Sequence, residues 1–368
     1  MITDDLPLLD QHCHGVRNTD LDRADFELLM TEGDRARSPF ESMLGVSMRR
    51  CCAPVLDLPA HAEPDDYLAR RRELGWREVT RRLLRASGTT TWLVDTGLAG
   101  PLTDLDEFGS LATGSVLEVV RLEAVAEHVA ATGVTAEEFP ESVERELRAR
   151  AVNAVGFKSI VAYRTGLGVP EQRPGRAEIT PAVSRWLSSA DRRLCDPVLL
   201  AWLVHLGAEI GAELGLPLQF HTGFGDADLH LLGADPAQLT GCLGATMDTG
   251  VTVVLLHCWP YHRNAAYLAH VFPHVLVDLG LTIPHVGARA GEVLAETLEI
   301  APWSAVCYSS DGYGLAELHH LAARLWRERF ARLVDEWIAD DVLTAADAER
   351  LVTGISLRNA ARAYGLDR

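Results

Sequence analysis

Short apolar runs recur along the chain, each ending near a polar or ionisable residue, and segments with the apolar spacing of helices lie between them. This alternation is typical of parallel β-strands joined by helices. Strands are predicted at residues 8–9, 91–94, 116–120, 154–157, 218–220, 251–256, 275–277 and 306–310, and they lead to His12 and His14, Asp95, Arg121, Lys158, His221, His257, Asp278 and Asp311. Such a set is what a closed (β/α)8 TIM barrel requires, so the pattern predicts one α/β domain over residues 1–368.

The spacing between strand ends is uneven, and two gaps are longer than the others. The first contains helical stretches such as residues 65–86, so a mostly helical insertion is predicted at about 16–88. The second contains a loop rich in Gly, Pro and Arg at 166–176, before a helix at 197–214. Helical insertions are therefore expected after strands 1 and 4, and the first is expected to cover the barrel mouth or to form an oligomer contact.

The chain is acidic, with 34 Lys and Arg against 52 Asp and Glu and a net charge of -18. Nucleic acid and anionic membrane surfaces are disfavoured as partners, because both select basic protein surfaces. A small-molecule substrate is the expected partner, and a homo-oligomer stays open.

The first residues lack the basic and apolar regions of a signal peptide, and no apolar run reaches membrane-spanning length. The seven cysteines are odd in number and lack paired CxxC spacing, which favours reduced thiols. A cytoplasmic location is expected.

Histidines concentrate at the predicted strand ends. Residues i and i+2 of a strand point to the same side, so His12 and His14 are expected to face the barrel axis and to bind one ion together. His221 and His257 each end a buried strand, where a neutral imidazole needs a polar partner that a metal ion would supply. The alternative for either is a core histidine bonded to a backbone carbonyl. Because TIM-barrel active sites lie at the C-terminal ends of the strands, the clustering favours metal binding.

Asp311 ends the last predicted strand and is followed by Gly312. It is expected to bind metal through one oxygen and to accept a water proton through the other, the alternative being a cap of the following helix. Lys158 has two interpretations. As a carbamate formed with CO2 it would be an anionic ligand bridging two ions, and as an unmodified amine it would bind a substrate carboxylate.

Polar residues beyond these strand ends are candidates for substrate binding. They are Tyr163, Arg164, His262, Arg263 and His319. Arg164 and Arg263 suit bidentate recognition of a carboxylate, and the alternative for each is a surface pair with one of the many acids.

Taken together, the motifs resemble the amidohydrolase superfamily, specifically the amidohydrolase-2 branch that includes the amidohydrolase part of nodulin- and FluG-type proteins. The matching stretches are Asp10-Gln-His-Cys-His14, Gly156-Phe-Lys-Ser-Ile160 with Ala162-Tyr-Arg164, Gln219-Phe-His-Thr-Gly223, Leu255-Leu-His-Cys-Trp-Pro-Tyr-His-Arg263, Tyr308-Ser-Ser-Asp311 with Glu317-Leu-His319, and Asn359-Ala-Ala-Arg-Ala-Tyr-Gly-Leu366. They span nearly the whole chain, and their order is specific in combination.

The resemblance implies a deformed TIM barrel that binds one or two divalent ions, with Zn, Mn or Fe as the candidates. It implies that His12, His14 and Asp311 hold one ion, that His221 and His257 hold a second, and that Lys158 bridges the two. It also implies that Asp311 shuttles a proton in catalysis. Where only one ion is bound, the histidine corresponding to His257 contacts the substrate instead.

Three functions are compatible with this site. The first is a metal-dependent hydrolase, acting at a C–N bond of a small polar and possibly carboxylate-bearing substrate through a metal-activated water. The second is a nonheme dinuclear iron monooxygenase on the same scaffold, whose ligands would be equally rich in histidine. The third is a non-enzymatic regulatory barrel whose metal site is closed to water.

Overall fold

A curled parallel sheet forms the centre of the molecule in the computed structural model, which describes residues 2–3, 5–33 and 37–367. Its seven regular strands follow one another in chain order, as consecutive βα units require. They are β1 (Leu8–Cys13), β2 (Thr89–Asp95), β3 (Ser115–Arg121), β4 (Ala154–Ser159), β5 (Leu218–His221), β6 (Val253–Leu256) and β7 (Val275–Val277). All neighbouring strands pair in parallel, so their C-terminal ends meet at one rim.

Residues 306–311 occupy the eighth position and close the barrel. The backbone N–H of Cys307 donates to Val277 O at 2.9 Å, and the backbone N–H of Gln11 donates to Tyr308 O at 3.2 Å. The sequence predicts a strand here, and the segment is extended, but it does not form a regular β-strand. The reason is that the Tyr308 amide bonds the C-terminal turn at Ile355 O instead of a neighbouring strand, and that Asp311 has a left-handed φ of 50°.

Helices surround the sheet and fill both predicted insertions. The first insertion contains α1 (Arg23–Leu28), α2 (Met43–Cys51), α3 (Pro64–Leu74) and α4 (Trp76–Ala86). The others are α5 (Leu105–Leu111), α6 (Leu122–Ala131), α7 (Phe139–Ala151), α8 (Arg176–Ser188), α9 (Pro197–Leu214), α10 (Thr240–Thr246), α11 (His262–Val271), α12 (Thr282–Val286), α13 (Ala290–Thr297), α14 (Ala316–Ala339), α15 (Ala345–Thr353) and α16 (Asn359–Ala363). The stretch predicted as helical at 65–86 is two helices, because Gly75 between them has a φ of 75°.

Two layers of apolar side chains stabilise this arrangement. The inner layer fills the barrel and includes Leu9, Leu93, Val254 and Leu256, and it is closed from below by Tyr364, which follows α16. The outer layer lies between the strands and the helices. The fold therefore confirms the predicted α/β class and a deformed (β/α)8 barrel, and it leaves the rim at the C-terminal strand ends for polar side chains.

Helix α9 has the length and hydropathy of a membrane span, although no run of that length was expected. Its 18 residues pack against α6, α7, α8, β4 and β5, and 67% of it is buried inside the protein. Its apolar composition thus reflects a position in the core.

Candidate metal centre

A cavity of about 510 Å³ opens at the C-terminal rim of the barrel. All six residues predicted as ligands line it, namely His12, His14, Lys158, His221, His257 and Asp311. The structure therefore brings together side chains from β1, β4, β5, the end of β6 and the eighth segment, which are far apart in sequence.

His12 in β1 and His14 just after it both face this cavity, although the simple alternation of a strand is interrupted. The pairing register between β1 and β2 shifts between Asp10 and Cys13, as in a β-bulge. The two rings lie edge to face with centroids 5.0 Å apart. The Nε2 atom of His12 is 3.2 Å from Asp311 Oδ1, and that of His14 is 3.3 Å from the same oxygen.

Hydrogen bonds on the far side of each ring assign its tautomer. His14 Nδ1 lies 3.2 Å from Asp95 O, and a carbonyl only accepts, so this nitrogen carries the proton. His12 Nδ1 lies 2.8 Å from Gln219 Oε1 and donates in the same way. In a neutral ring the Nε2 atom then carries the lone pair, and this atom of each ring faces Asp311 Oδ1.

His221 and His257 complete the donor set. His221 Nε2 donates to Phe224 O at 3.1 Å, which leaves its Nδ1 unprotonated. His257 Nδ1 has no hydrogen-bond partner among the described residues and lies 3.6 Å from Asp311 Oδ2. The ring centroids of the two histidines are 4.6 Å apart. Burial lowers the pKa of each imidazole well below its usual value, so both are neutral and can act as ligands.

The backbone at this rim is held in unusual conformations. His257, Cys258 and Asp311 all have positive φ, at 69°, 63° and 50°. Such residues cost free energy and persist where the surroundings impose them, often at functional sites. Gly223 allows the loops after β5 and β6 to touch, because a Cβ there would lie 2.2 Å from Trp259 O.

The ionisation states of the carboxylate and the imidazoles at this centre are those that metal ligands need. Burial would raise the pKa of Asp311, but the three neighbouring histidines hold it well below its usual value, so the carboxylate is ionised. Burial, followed by the nearby Lys158 ammonium, lowers the pKa of His12 to about 4. Three electron-rich atoms, the Nε2 atoms of His12 and His14 and Oδ1 of Asp311, thus converge within 4.8 Å. A divalent cation is the group that such a donor set fits.

Lys158 lies beside these donors, with Nζ 3.3 Å from His12 Nε2. Its side chain is buried, and burial lowers its pKa to about 8. The amine is therefore more often neutral than a solvent-exposed lysine, and a neutral amine is the form that reacts with CO2.

A buried hydrogen-bond network beneath the centre fixes the orientation of His12. Gln219 Nε2 donates to Gln11 O at 2.8 Å and to Tyr364 Oη at 2.7 Å, so its Oε1 must face the imidazole. The hydroxyl of Tyr364 donates in turn to Gln11 Oε1 at 2.6 Å, and the side-chain Nε2 of Gln11 donates to Asp278 Oδ2. Asp278 also accepts the backbone N–H of His257 at 2.7 Å, so one network positions two candidate ligands.

Replacing Gln219 with leucine is expected to weaken metal binding by about 10- to 100-fold, as the loss of an orienting partner of a ligand does. The reason is that His12 Nδ1 would lose its acceptor and the ring could present the wrong nitrogen. Competition against a chromophoric chelator measures the affinity. Tyr308→Phe is the matched control, because it removes a buried hydroxyl that has no partner among the described residues and packs against Trp326. Equal affinities in the two variants would contradict the assigned role.

A buried ion pair supports the opposite side of the centre. Arg121 donates from Nε and Nη2 to Asp95 Oδ2 at 3.0 and 2.6 Å. Burial would raise the pKa of Asp95, but Arg121 holds it well below its usual value. Because Asp95 O also accepts from His14, this pair fixes the histidine that follows β1.

Two of the five residues predicted to bind substrate line the cavity. Tyr163 packs its ring against His221 with centroids 4.5 Å apart, and Arg164 follows it in the chain. The roles of both residues in binding stay predictions.

The structure does not bring the other three to the cavity, which corrects the expectation for their positions. His262 is in α11 and pairs with Glu296 at 2.6 Å. Arg263 is exposed and pairs with Glu299 at 2.9 Å, so the alternative interpretation of Arg263, a surface ion pair with an acid, describes its position. His319 is fully buried behind the centre, where it contacts Trp92 and Phe108.

Several cavity residues were not predicted as site residues from the sequence. Arg17 and Glu32 come from the first insertion, and Arg193 from the second. Glu32 is hydrogen-bonded to Asp226, and burial together with this second carboxyl raises the pKa of Glu32 well above its usual value.

Gln219, which orients His12, was also not predicted. The sequence carried a signal for its position, because Gln219 precedes His221 by two residues and so shares its face of β5.

Comparison with known proteins agrees with this geometry. The amidohydrolase family model matches residues 56–366. The fluG protein of Emericella nidulans is 30% identical over 402 aligned positions, which cover 98% of this chain and 46% of that protein, so the chain spans about half of that relative's length.

Solved structures extend the similarity. A candidate metal-dependent hydrolase from Lactobacillus casei superposes with a TM-score of 0.90 at 27% identity, over 100% of this chain and 97% of that one. A glucuronate isomerase from Caulobacter crescentus gives a TM-score of 0.70 at 15% identity, over 100% and 93% of the chains, and shows the fold alone. The strand-end histidines, the aspartate of the eighth segment and the family match lead to one conclusion: this chain belongs to the amidohydrolase family.

Proposed function

We propose that the protein is a metal-dependent hydrolase that acts on a small polar molecule, with a C–N bond as the reacting bond. The observation that carries the proposal is the convergence at the barrel rim of one carboxylate oxygen and two Nε2 atoms, each from a ring that donates through Nδ1. His12, His14 and Asp311 would hold one divalent ion, and His221 and His257 a second one. A bound ion would supply Lewis acidity and lower the pKa of a water molecule.

Asp311 is the proposed proton acceptor. Its Oδ1 faces His12 and His14, whereas Oδ2 lies toward His257, so the two oxygens face different neighbours. The carboxylate is ionised at neutral pH and can therefore take a proton from an attacking water and return it to a leaving amine. His257, also at the cavity wall, would hold a metal ion or, with one ion bound, orient the substrate.

Lys158 is proposed to complete the centre as a carbamate bridging two ions. Its position beside His12 and the lowered pKa of its amine support this modification. With one ion only, the unmodified amine would instead contact the substrate. The proposed ion is Zn, Mn or Fe, because a set of imidazoles and one carboxylate is compatible with each of them.

The cavity above the ligands supports an enzymatic role. A structural metal site has a closed shell, whereas these donors line an opening of about 510 Å³, which is the size of pockets that bind small molecules. The protein is proposed to be an enzyme for this reason.

Metal removal and restoration test the proposal. Chelated protein is expected to lose all hydrolysis of amides and esters, and Zn or Mn is expected to restore it equally in air and under argon, because a hydrolytic reaction needs no O2. Activity restored by iron alone, with O2 consumption that depends on substrate, would instead identify a dinuclear iron oxygenase. Metal-replete protein that hydrolyses no compound of a broad amide and ester panel would contradict the proposed reaction.

A further inference from the structure

Several cationic side chains line the cavity, but most are already engaged. Arg121 is committed to Asp95 through two hydrogen bonds. Arg193 donates to Asp228 at 2.8 Å and to Tyr163 O at 3.2 Å. Both are paired with acids, and Lys158 lies beside His12 in the metal centre, so of the five Lys and Arg side chains that line the cavity Arg164 and Arg17 are left to be considered.

Arg164 is nearly buried yet incompletely paired. Its side chain is 9% exposed, and its one ion pair with a described residue runs from Nη2 to Glu127 at 3.2 Å. That glutamate oxygen also accepts the backbone N–H of Leu194 at 2.8 Å, so it is shared. Nε and Nη1 of Arg164 have no hydrogen-bond partner among the described residues. Unsatisfied buried donors of a charged group are costly, and an anionic ligand would satisfy them.

Arg17 offers a second cation from a different element. It follows β1 in a segment anchored by its backbone N–H, which donates to Gly314 O at 2.9 Å. Its Nε is buried without a partner in the described part of the chain, and the side chain lines the same cavity as Arg164.

The acids at this cavity do not cancel these charges. Asp228 is paired with Arg193, and Glu32 and Asp226 are hydrogen-bonded to each other, which together with burial raises the pKa of Glu32 well above its usual value. Asp311 faces the histidines. A cavity in a protein of net charge -18 thus keeps two arginines with unused donors.

We propose that the substrate carries a carboxylate group that binds Arg164, with Arg17 as a second contact, while its scissile bond lies at the metal centre. This inference names the substrate class of the site and rests on the proposed function for the position of the scissile bond. A carboxylate is favoured because a guanidinium forms charge-assisted hydrogen bonds with it that a neutral amide cannot match.

Binding of matched ligand pairs tests this assignment without requiring turnover. Succinate, glutarate and benzoate are compared with the corresponding neutral amides on the metal-loaded protein, by thermal shift and by calorimetry up to tens of millimolar. We expect the carboxylic acids to bind the protein and the neutral amides to show no binding. Arg164→Gln is expected to weaken acid binding by about ten- to a hundred-fold, the effect of losing a hydrogen bond to a charged group. Arg17→Gln is expected to weaken it less.

Arg263→Gln is the control, because Arg263 is an exposed arginine paired with Glu299 outside the cavity and should leave binding unchanged. Arg164→Lys, which keeps the charge, guards against a folding defect in the glutamine variant and is expected to retain part of the affinity. Acids that bind wild type and Arg164→Gln equally would be held by the metal alone, and this result would overturn the proposal, as would failure of every acid to bind. Acid binding through Arg164 in a protein that hydrolyses no amide or ester would refute only the hydrolase.

Discussion

Replacing Asp311 with asparagine is expected to lower the turnover number by about 100- to 10,000-fold, the range for losing a positioned general base. Asparagine keeps an oxygen that can face His12 and His14 at the position of Oδ1, but an amide does not accept a proton at neutral pH. The metal content should therefore stay near that of the wild type while catalysis is lost. Parallel metal analysis and steady-state kinetics measure the two effects separately.

The control for this variant is Asp226→Asn, at an exposed carboxylate of the cavity mouth outside the metal ligands. It is expected to change the Michaelis constant more than the turnover number. An Asp311→Asn protein that keeps turnover within a few-fold of the wild type, with full metal, would show that another group accepts the proton.

Replacing His14 with alanine is expected to weaken metal binding by more than about 100-fold, because changes to the partners of a ligand already cost about 10- to 100-fold. Activity should fall in parallel at low metal and recover in part at high metal. Equilibrium dialysis against Zn measures the loss, and His270→Ala, at an exposed histidine of α11, is the control. Unchanged metal affinity in His14→Ala would exclude this residue as a ligand.

The same variant has a second expected effect, on stability without metal. In the metal-free wild type the Nε2 atoms of His12 and His14 lie 3.2 and 3.3 Å from the ionised Asp311, so two neutral rings would direct their lone pairs at the carboxylate with no cation between them. Removing one of them should leave metal-free His14→Ala at least as stable as the metal-free wild type in urea unfolding. Large destabilisation would mean that this histidine is a structural core residue.

The sequence predicted the barrel and the rim because both depend on local patterns. Apolar runs that end in His or Asp place those residues at strand ends, and parallel strands bring their ends to one rim. The pattern could not determine where residues on the following loops and helices point. His319 lies in α14 close to Asp311 in sequence, yet it faces Trp92 in the core, and His262 turns toward Glu296.

Other parts of the site depend on contacts that no local pattern carries. Tyr364 reaches Gln219 across 145 positions of sequence, and no periodicity marks it. Arg17 belongs to a loop whose path is set by the Gly314 contact. The eighth segment departs from regular strand geometry because the Tyr308 amide bonds Ile355 O, and its serines bond Asp10 and Asp278. Partners of this kind are visible only in the folded chain.

The central claim is that the rim of this barrel binds metal through the assigned histidine nitrogens. Anomalous X-ray diffraction from crystals of the purified protein, recorded at the absorption edges of Zn, Fe and Mn, tests it most directly. We predict a peak within bonding distance of His12 Nε2, His14 Nε2 and Asp311. If a second ion is bound, we predict a second peak near His221 and His257. Peaks elsewhere, or none in protein supplied with all three metals, would contradict the account.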